Sequence, residues 1–206
     1  MKQRIFAGAM SLALLLGAAT PAAFAEEYPP EIAPAPVSAP LVPDPTGEVT
    51  RAQVVCYLWE LSGKPAVNFA MQFDDVAADT ESAEAIRWAA SEKLAKGYGD
   101  NKFGPDDVVT REQLATIVYN YVKQFGMGFT GTWMFLMPYT DRADVREWAL
   151  EPVMWMVSSK LFDPEMEQLQ PQKAVNRAEA AEFFGKLATL AQEKHVDFSQ
   201  YGKVKQ

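Results

Sequence analysis

Pro105-Asp106-Asp107-Val108-Val109-Thr110-Arg111-Glu112-Gln113 decides the fold, because the chain writes this sentence three times. Pro45-Thr46-Gly47-Glu48-Val49-Thr50-Arg51-Ala52-Gln53 and Pro171-Gln172-Lys173-Ala174-Val175-Asn176-Arg177-Ala178-Glu179 keep its order. Proline precedes Thr or Asn by five positions, Arg follows at once, and Gln or Glu stands three further on. The copies lie 60 and 66 residues apart, the signature of a repeat architecture.

Each copy reads as a helix start. Thr50, Thr110 and Asn176 are N-cap types, and Gln53, Gln113 and Glu179 occupy the third helical position, completing a capping box. Apolar side chains follow at helical spacing: Val54, Tyr57, Leu58 and Leu61; Leu114, Ile117, Val118 and Tyr121; Ala180, Phe183, Phe184 and Leu187. Three helices with one apolar stripe each need one another's cover, which predicts a mainly α fold around a central bundle.

A second helix precedes the second and third copies. Phe73-Asp74-Asp75-Val76 leads to Ala85-Ile86-Arg87-Trp88-Ala89 and Lys93-Leu94, and Tyr139-Thr140-Asp141 leads to Trp148-Ala149, Val153-Met154-Trp155-Met156 and Lys160-Leu161. Trp88 and Trp155 share a repeat position and read as core. Pro152 predicts a kink or break near 150–152. The first copy has no such helix, so the chain holds about two and a half repeats: 46–64, 73–125 and a degenerate 139–191 within a module spanning 46–195.

Outside the module, residues 1–25 read as a secretory signal peptide, with Lys2 and Arg4, an apolar run, and Ala23-Phe24-Ala25 as the cleavage pattern. The apolar run is shorter than a spanning helix needs, so the mature chain is expected to be secreted and not membrane-spanning. Residues 26–45 hold seven of the fourteen prolines and read as an extended tether. Residues 196–206 read as a polar tail.

The 206 residues carry 19 Lys and Arg against 27 Asp and Glu, a net charge of −8 that argues against nucleic acid held by a broad basic surface. One His and one Cys exclude a Cys/His metal cluster and an internal disulfide framework. No metal or cofactor is expected; Asp74, Asp75, Asp100, Asp106 and Asp107 lack a calcium-loop spacing and read as caps and turns. Glu81 and Glu84 share one helix face rather than a cleft, which leaves an enzyme the least supported reading. Cys56, on the side of its helix away from the apolar stripe, reads as a small, partly buried helix residue or an accessible thiol, and His195 has no assigned role.

These residues resemble the S-layer homology domain family, which shows an aromatic-x-Asp-Val start, a glycine-rich loop ending in Phe-x-Pro, and a Thr-Arg-Ala-Glu helix start. The second copy fits best, with Gly97-Tyr98-Gly99-Asp100-Asn101-Lys102-Phe103-Gly104-Pro105 as its loop. The resemblance implies a pseudo-threefold helical module with loop prongs on a bacterial surface. It implies non-covalent attachment to the cell wall through anionic, pyruvylated secondary polysaccharide, with no catalysis. It nominates Arg111, Arg51 and Arg177, ranked in that order, with Thr110, and with Gly97 and Gly99 beside Arg111. Helix N-termini with free N–H groups and an arginine fork suit a carboxylate; the plainer alternative has each arginine stapling a neighbouring repeat's acid.

Departures qualify the transfer. The third loop, Pro164-Glu165-Met166-Glu167-Gln168-Leu169-Gln170-Pro171, has no glycine and adds two acids. Lys93 and Lys160 replace the glycine expected after the first helix of each repeat. The apolar segment 126–138, containing Trp133, reads as core or as a surface for other proteins. A decayed repeat scaffold holding protein partners is therefore the alternative to a polysaccharide anchor.

Overall fold

A computed structural model describes residues 44–67, 73–80, 82–130 and 136–201. The signal peptide, nearly all of the proline-rich tether, Glu81 and Trp133 lie outside the described residues. All those described belong to one compact unit, residues 36–206. It is mainly helical: α1 Arg51–Leu61, α2 Ser82–Ser91, α3 Arg111–Lys123, α4 Leu150–Ser158 and α5 Arg177–Glu193, with short 3₁₀ turns at Arg142–Asp144, Glu147–Ala149 and Phe198–Gln200. Among the described residues there is no β-strand, only isolated bridges.

The three repeated starts are capped as their residue types require. Thr50 accepts from the Gln53 N–H and the Gln53 side chain accepts from the Thr50 N–H; Thr110 and Gln113 do the same. Asn176 accepts from the Glu179 N–H. The residues just before the caps meet each other in a closed ring. The Val49 N–H donates to the Val175 carbonyl at 2.9 Å, the Val175 N–H to Val109 at 3.0 Å, and the Val109 N–H to Val49 at 2.9 Å. All three valine side chains are buried, so the ring sits on apolar core and each link depends on the other two.

α2 packs along α1 and α4 along α3. Trp88 and Trp155 both lie in the core, as their shared repeat position suggests. Pro152 falls in the first turn of α4, where a missing N–H leaves no broken bond. The 3₁₀ turn ahead of it leaves Trp148 half-exposed outside the helix.

Lys93 and Lys160 take the left-handed backbone after their helices, with φ of 59° and 58°, so the turn survives without glycine. His195 does the same after α5, at φ 55°. The expected polar tail is corrected in its first half. Phe198 and Tyr201 are buried, Tyr201 stacking on Tyr121 with centroids 5.9 Å apart and donating to Glu92 at 2.9 Å. Two aromatic residues spaced three apart outweigh the polar residues around them.

Candidate functional site

The helix N-termini do not hold free amides. The first two N–H groups of each helix donate to carbonyls of a neighbouring segment: Arg51 to Asp107 and Ala52 to Pro105; Arg111 to Lys173 and Glu112 to Pro171; Arg177 to Gly47 and Ala178 to Pro45. The third goes to the cap side chain. An anion drawn to bare helix-start amides therefore finds none, and the expectation is overturned. The sequence showed the cap but not the chain segment that crosses each helix start.

The arginines then diverge. Arg51 is 4% exposed. Its Nε donates to the Phe103 carbonyl at 3.1 Å and its Nη2 to Lys96 at 2.8 Å. Its guanidinium carbon lies 4.4 Å from the Tyr98 ring centroid and 4.8 Å from that of Phe103. No carboxylate lies within ion-pair distance of it among the described residues. Burial holds its pKa below the ordinary arginine value, opposed by the fields of Tyr98, Asp107 and Asp75.

Arg111 is 8% exposed and internally neutralised. Its Nε reaches Glu179 at 2.5 Å, and its Nη1 donates to the Leu169 carbonyl. Here the stapling alternative holds. Arg177 is half-buried, and its Nη1 donates to the Asp44 carbonyl at 3.4 Å. Gly47 leaves room for this guanidinium: a Cβ there would stand 3.0 Å from the Arg177 Cζ.

The glycine-rich loop accompanies Arg51, not Arg111. Each arginine reaches the loop that precedes the next repeated helix, so Gly97 and Gly99 sit over the first copy's arginine and Arg111 faces the glycine-free third loop. The expected pairing of Gly97 and Gly99 with Arg111 is overturned. Thr110 acts as the α3 cap, remote in role from either guanidinium.

The loop is a tight hairpin. Tyr98 N–H donates to the Lys102 carbonyl, and Lys102 N–H to Gly99, both at 2.9 Å. Gly99, Asp100 and Asn101 all have positive φ. A Cβ at Gly97 would come within 2.5 Å of the Lys102 carbonyl oxygen and 2.8 Å of Phe73 Cε1. Asp75 clamps the hairpin's end, accepting from the Phe103 and Gly104 N–H groups at 2.8 and 2.7 Å. Burial pushes the Asp75 carboxyl up, but these donors outweigh it and hold it below its ordinary value. Asp141 holds Leu169 and Gln170 in the third loop the same way. The recurrent aromatic-x-Asp signals this clamp.

Around Arg111 lies an open groove of about 450 Å³, lined by Leu114, Leu161, Phe162, Met166 and Phe183 with Asp163, Glu179, Glu182 and Lys186. Glu112, absent from the sequence-level site, is wholly buried and paired with Arg146 at 2.6 Å. Of the 126–138 segment, Met127 and Phe129 pack on the core and Met137 is buried, while Leu136 is exposed. Cys56 is half-buried against the core. Glu84 pairs with Arg87 on its own helix at 2.9 Å. Among the described residues no helix is long and apolar enough to cross a membrane.

Comparison with known proteins fits this arrangement. The family model for the S-layer homology domain matches residues 72–115 and 138–181. The chain therefore carries S-layer homology repeats. It is 27% identical over 143 residues to a cellulosome-anchoring protein of Acetivibrio thermocellus, covering 66% of this chain and 31% of that one. It is 33% identical over 81 residues to cell surface glycoprotein 1 of the same organism, covering 38% of this chain and 4% of that one. The chain thus spans less than a third of the length of either relative.

Proposed function

We propose that this chain is a non-catalytic, pseudo-threefold anchoring module that attaches to the bacterial cell wall through anionic, pyruvylated polysaccharide. Its ligand contact is Arg51 beside the glycine-rich hairpin. One observation carries the reading: Arg51 is a buried guanidinium held by two carbonyls and two rings, and among the described residues no carboxylate lies within ion-pair distance of it. A carboxylate arriving from outside supplies the missing charge in a dry setting, where a charge-assisted bond is strongest. Tyr98, 54% exposed, offers a ring face to a sugar.

The three-part valine ring supports the pseudo-threefold organisation, and the relatives named for anchoring and for the cell surface support the location. The Arg111 groove is assigned no glycan, because Glu179 already occupies its guanidinium. The test is sedimentation of the purified mature chain with cell-wall sacculi before and after chemical removal of the secondary polymer. Co-sedimentation that disappears with the polymer is expected. Equal binding to stripped sacculi, or none to intact ones, overturns the reading.

The protein-scaffold alternative draws on the Arg111 groove, where Arg111 and Lys186 are paired with Glu179 and Glu182 and apolar side chains supply much of the wall. Binding of wall proteins to the chain in the absence of polymer, abolished by Phe183→Asp, separates it from the anchor.

A further inference from the structure

The loops that meet Arg51 and Arg111 carry opposite charge. The loop at Arg51, residues 96–105, holds Lys96, Lys102 and Asp100, a net +1. Its counterpart at Arg111, residues 163–171, holds Asp163, Glu165 and Glu167, a net −3. An aromatic ring is lost as well. Tyr98 lies over Arg51, whereas the third loop contains no aromatic residue. It is beside Arg111 that the groove of about 450 Å³ opens.

This groove has an apolar base and an acidic mouth. Leu114, Leu161, Phe162 and Phe183 line it and are each at most 8% exposed, which places them at the bottom. Met166, partly buried, reaches it from the third loop, and the exposed Glu165 and Glu167 flank that methionine. Both cations of the lining are already paired, Arg111 with Glu179 at 2.5 Å and Lys186 with Glu182 at 2.7 Å. Among the described residues, Asp163, Glu165 and Glu167 have no cation within ion-pair distance.

We propose that the Arg111 groove docks a protein segment in which a large apolar side chain stands beside lysine or arginine. This rests on the scaffold reading of the same groove and names the chemistry of its partner. The apolar side chain fills a space far larger than the about 30 Å³ that one water takes. The neighbouring cation meets the three acids, whose charge also steers it inward and turns anionic chains away. A partner with only one of the two features leaves either the apolar base or the acids unanswered. The second repeated arginine thereby serves protein, and the first serves polymer.

The test uses the full mature chain with methyl-labelled methionine, the Met166 signal being assigned by its loss in Met166→Leu. Three end-blocked peptides serve as probes: Lys-Trp-Lys, Glu-Trp-Glu and Lys-Gly-Lys. Lys-Trp-Lys is expected to shift the Met166 methyl, and to bind more weakly as salt is raised. Glu165→Lys combined with Glu167→Lys, at two exposed positions, is expected to weaken that peptide by about fivefold or more with the helix signal unchanged. Glu-Trp-Glu binding as tightly overturns the cationic partner while leaving the groove a docking surface. Lys-Gly-Lys binding as tightly removes the apolar contact and also overturns the proposal. No shift from any peptide overturns it too, and the scaffold reading then falls only if wall-protein binding is absent as well. Shifts caused instead by the pyruvylated polysaccharide, or by raising the concentration of the chain alone, assign the groove to glycan or to a second copy and overturn it.

Discussion

The pair between Glu112 and Arg146 gives the sharpest test of how the repeats hold together. Glu112 has 0% exposure, and its carboxylate accepts from the Arg146 guanidinium at 2.6 Å, the Arg146 backbone N–H at 3.2 Å and the Gln172 amide at 3.4 Å. Arg146→Ala leaves a buried carboxylate with only the two weaker donors. Losing one partner of a buried pair costs about 3–5 kcal/mol. The Arg146 side chain is 54% exposed, so water replaces part of it and about 2 kcal/mol is expected.

Glu112→Ala removes the charge instead. The other two repeats carry Ala52 and Ala178 at that position, so the backbone accepts alanine, and a cost of about 1 kcal/mol or less is expected. The double variant should then be more stable than Arg146→Ala alone. Thermal and urea unfolding followed by circular dichroism reads this cycle, with about 4–8 °C expected for the first variant. If Arg146→Ala proves no more harmful than Glu112→Ala, the pair does not staple the second repeat to the third.

Tyr201→Ala should cost about 3 kcal/mol, as large aromatic truncations in a core do. A urea-unfolding loss below about 1 kcal/mol would show that 196–201 is not core. Lys93→Gly should stabilise by about 1 kcal/mol, because glycine meets no Cβ penalty at φ 59°; a fall in melting temperature refutes this. Burial pushes Tyr119 and Tyr139 up to about 12, helped by Glu151 at the first and Asp163 at the second. Their raised values favour the protonated fold, so stability is complete below pH of about 10 and is lost as pH climbs toward 12. Phenolate absorbance should then rise together with loss of helix signal, and titration of all tyrosines near pH of about 10 in an intact fold would contradict it.

Much of the fold was legible because the caps are local. Thr50, Thr110 and Asn176 announce helices within four residues, and the apolar stripes behind them show that the helices share a core. The valine ring was not legible, since Val49, Val109 and Val175 look like ordinary buried residues until three distant segments meet. The same limit hides the partner of the glycine-rich loop. Gly97 stands close to Arg111 in sequence, yet the cyclic exchange carries its hairpin to Arg51. Glu179 looks like a capping residue in the sequence, and only the inter-repeat contact reveals that it neutralises Arg111. Phe198 and Tyr201 carried a signal that was outvoted by Asp197, Ser199 and Gln200.

The central claim is that Arg51, and not Arg111, is available to the wall polymer. The most direct measurement is calorimetric titration of isolated pyruvylated polysaccharide into Arg51→Lys and Arg111→Lys, each first shown to keep its helical signal. Lysine keeps the charge but loses the planar fork that two carbonyls and a carboxylate need. Arg51→Lys should weaken binding by about tenfold or more, equivalent to about 1.4 kcal/mol, while Arg111→Lys leaves affinity within about twofold. The reverse order, or equal losses in both, would contradict it.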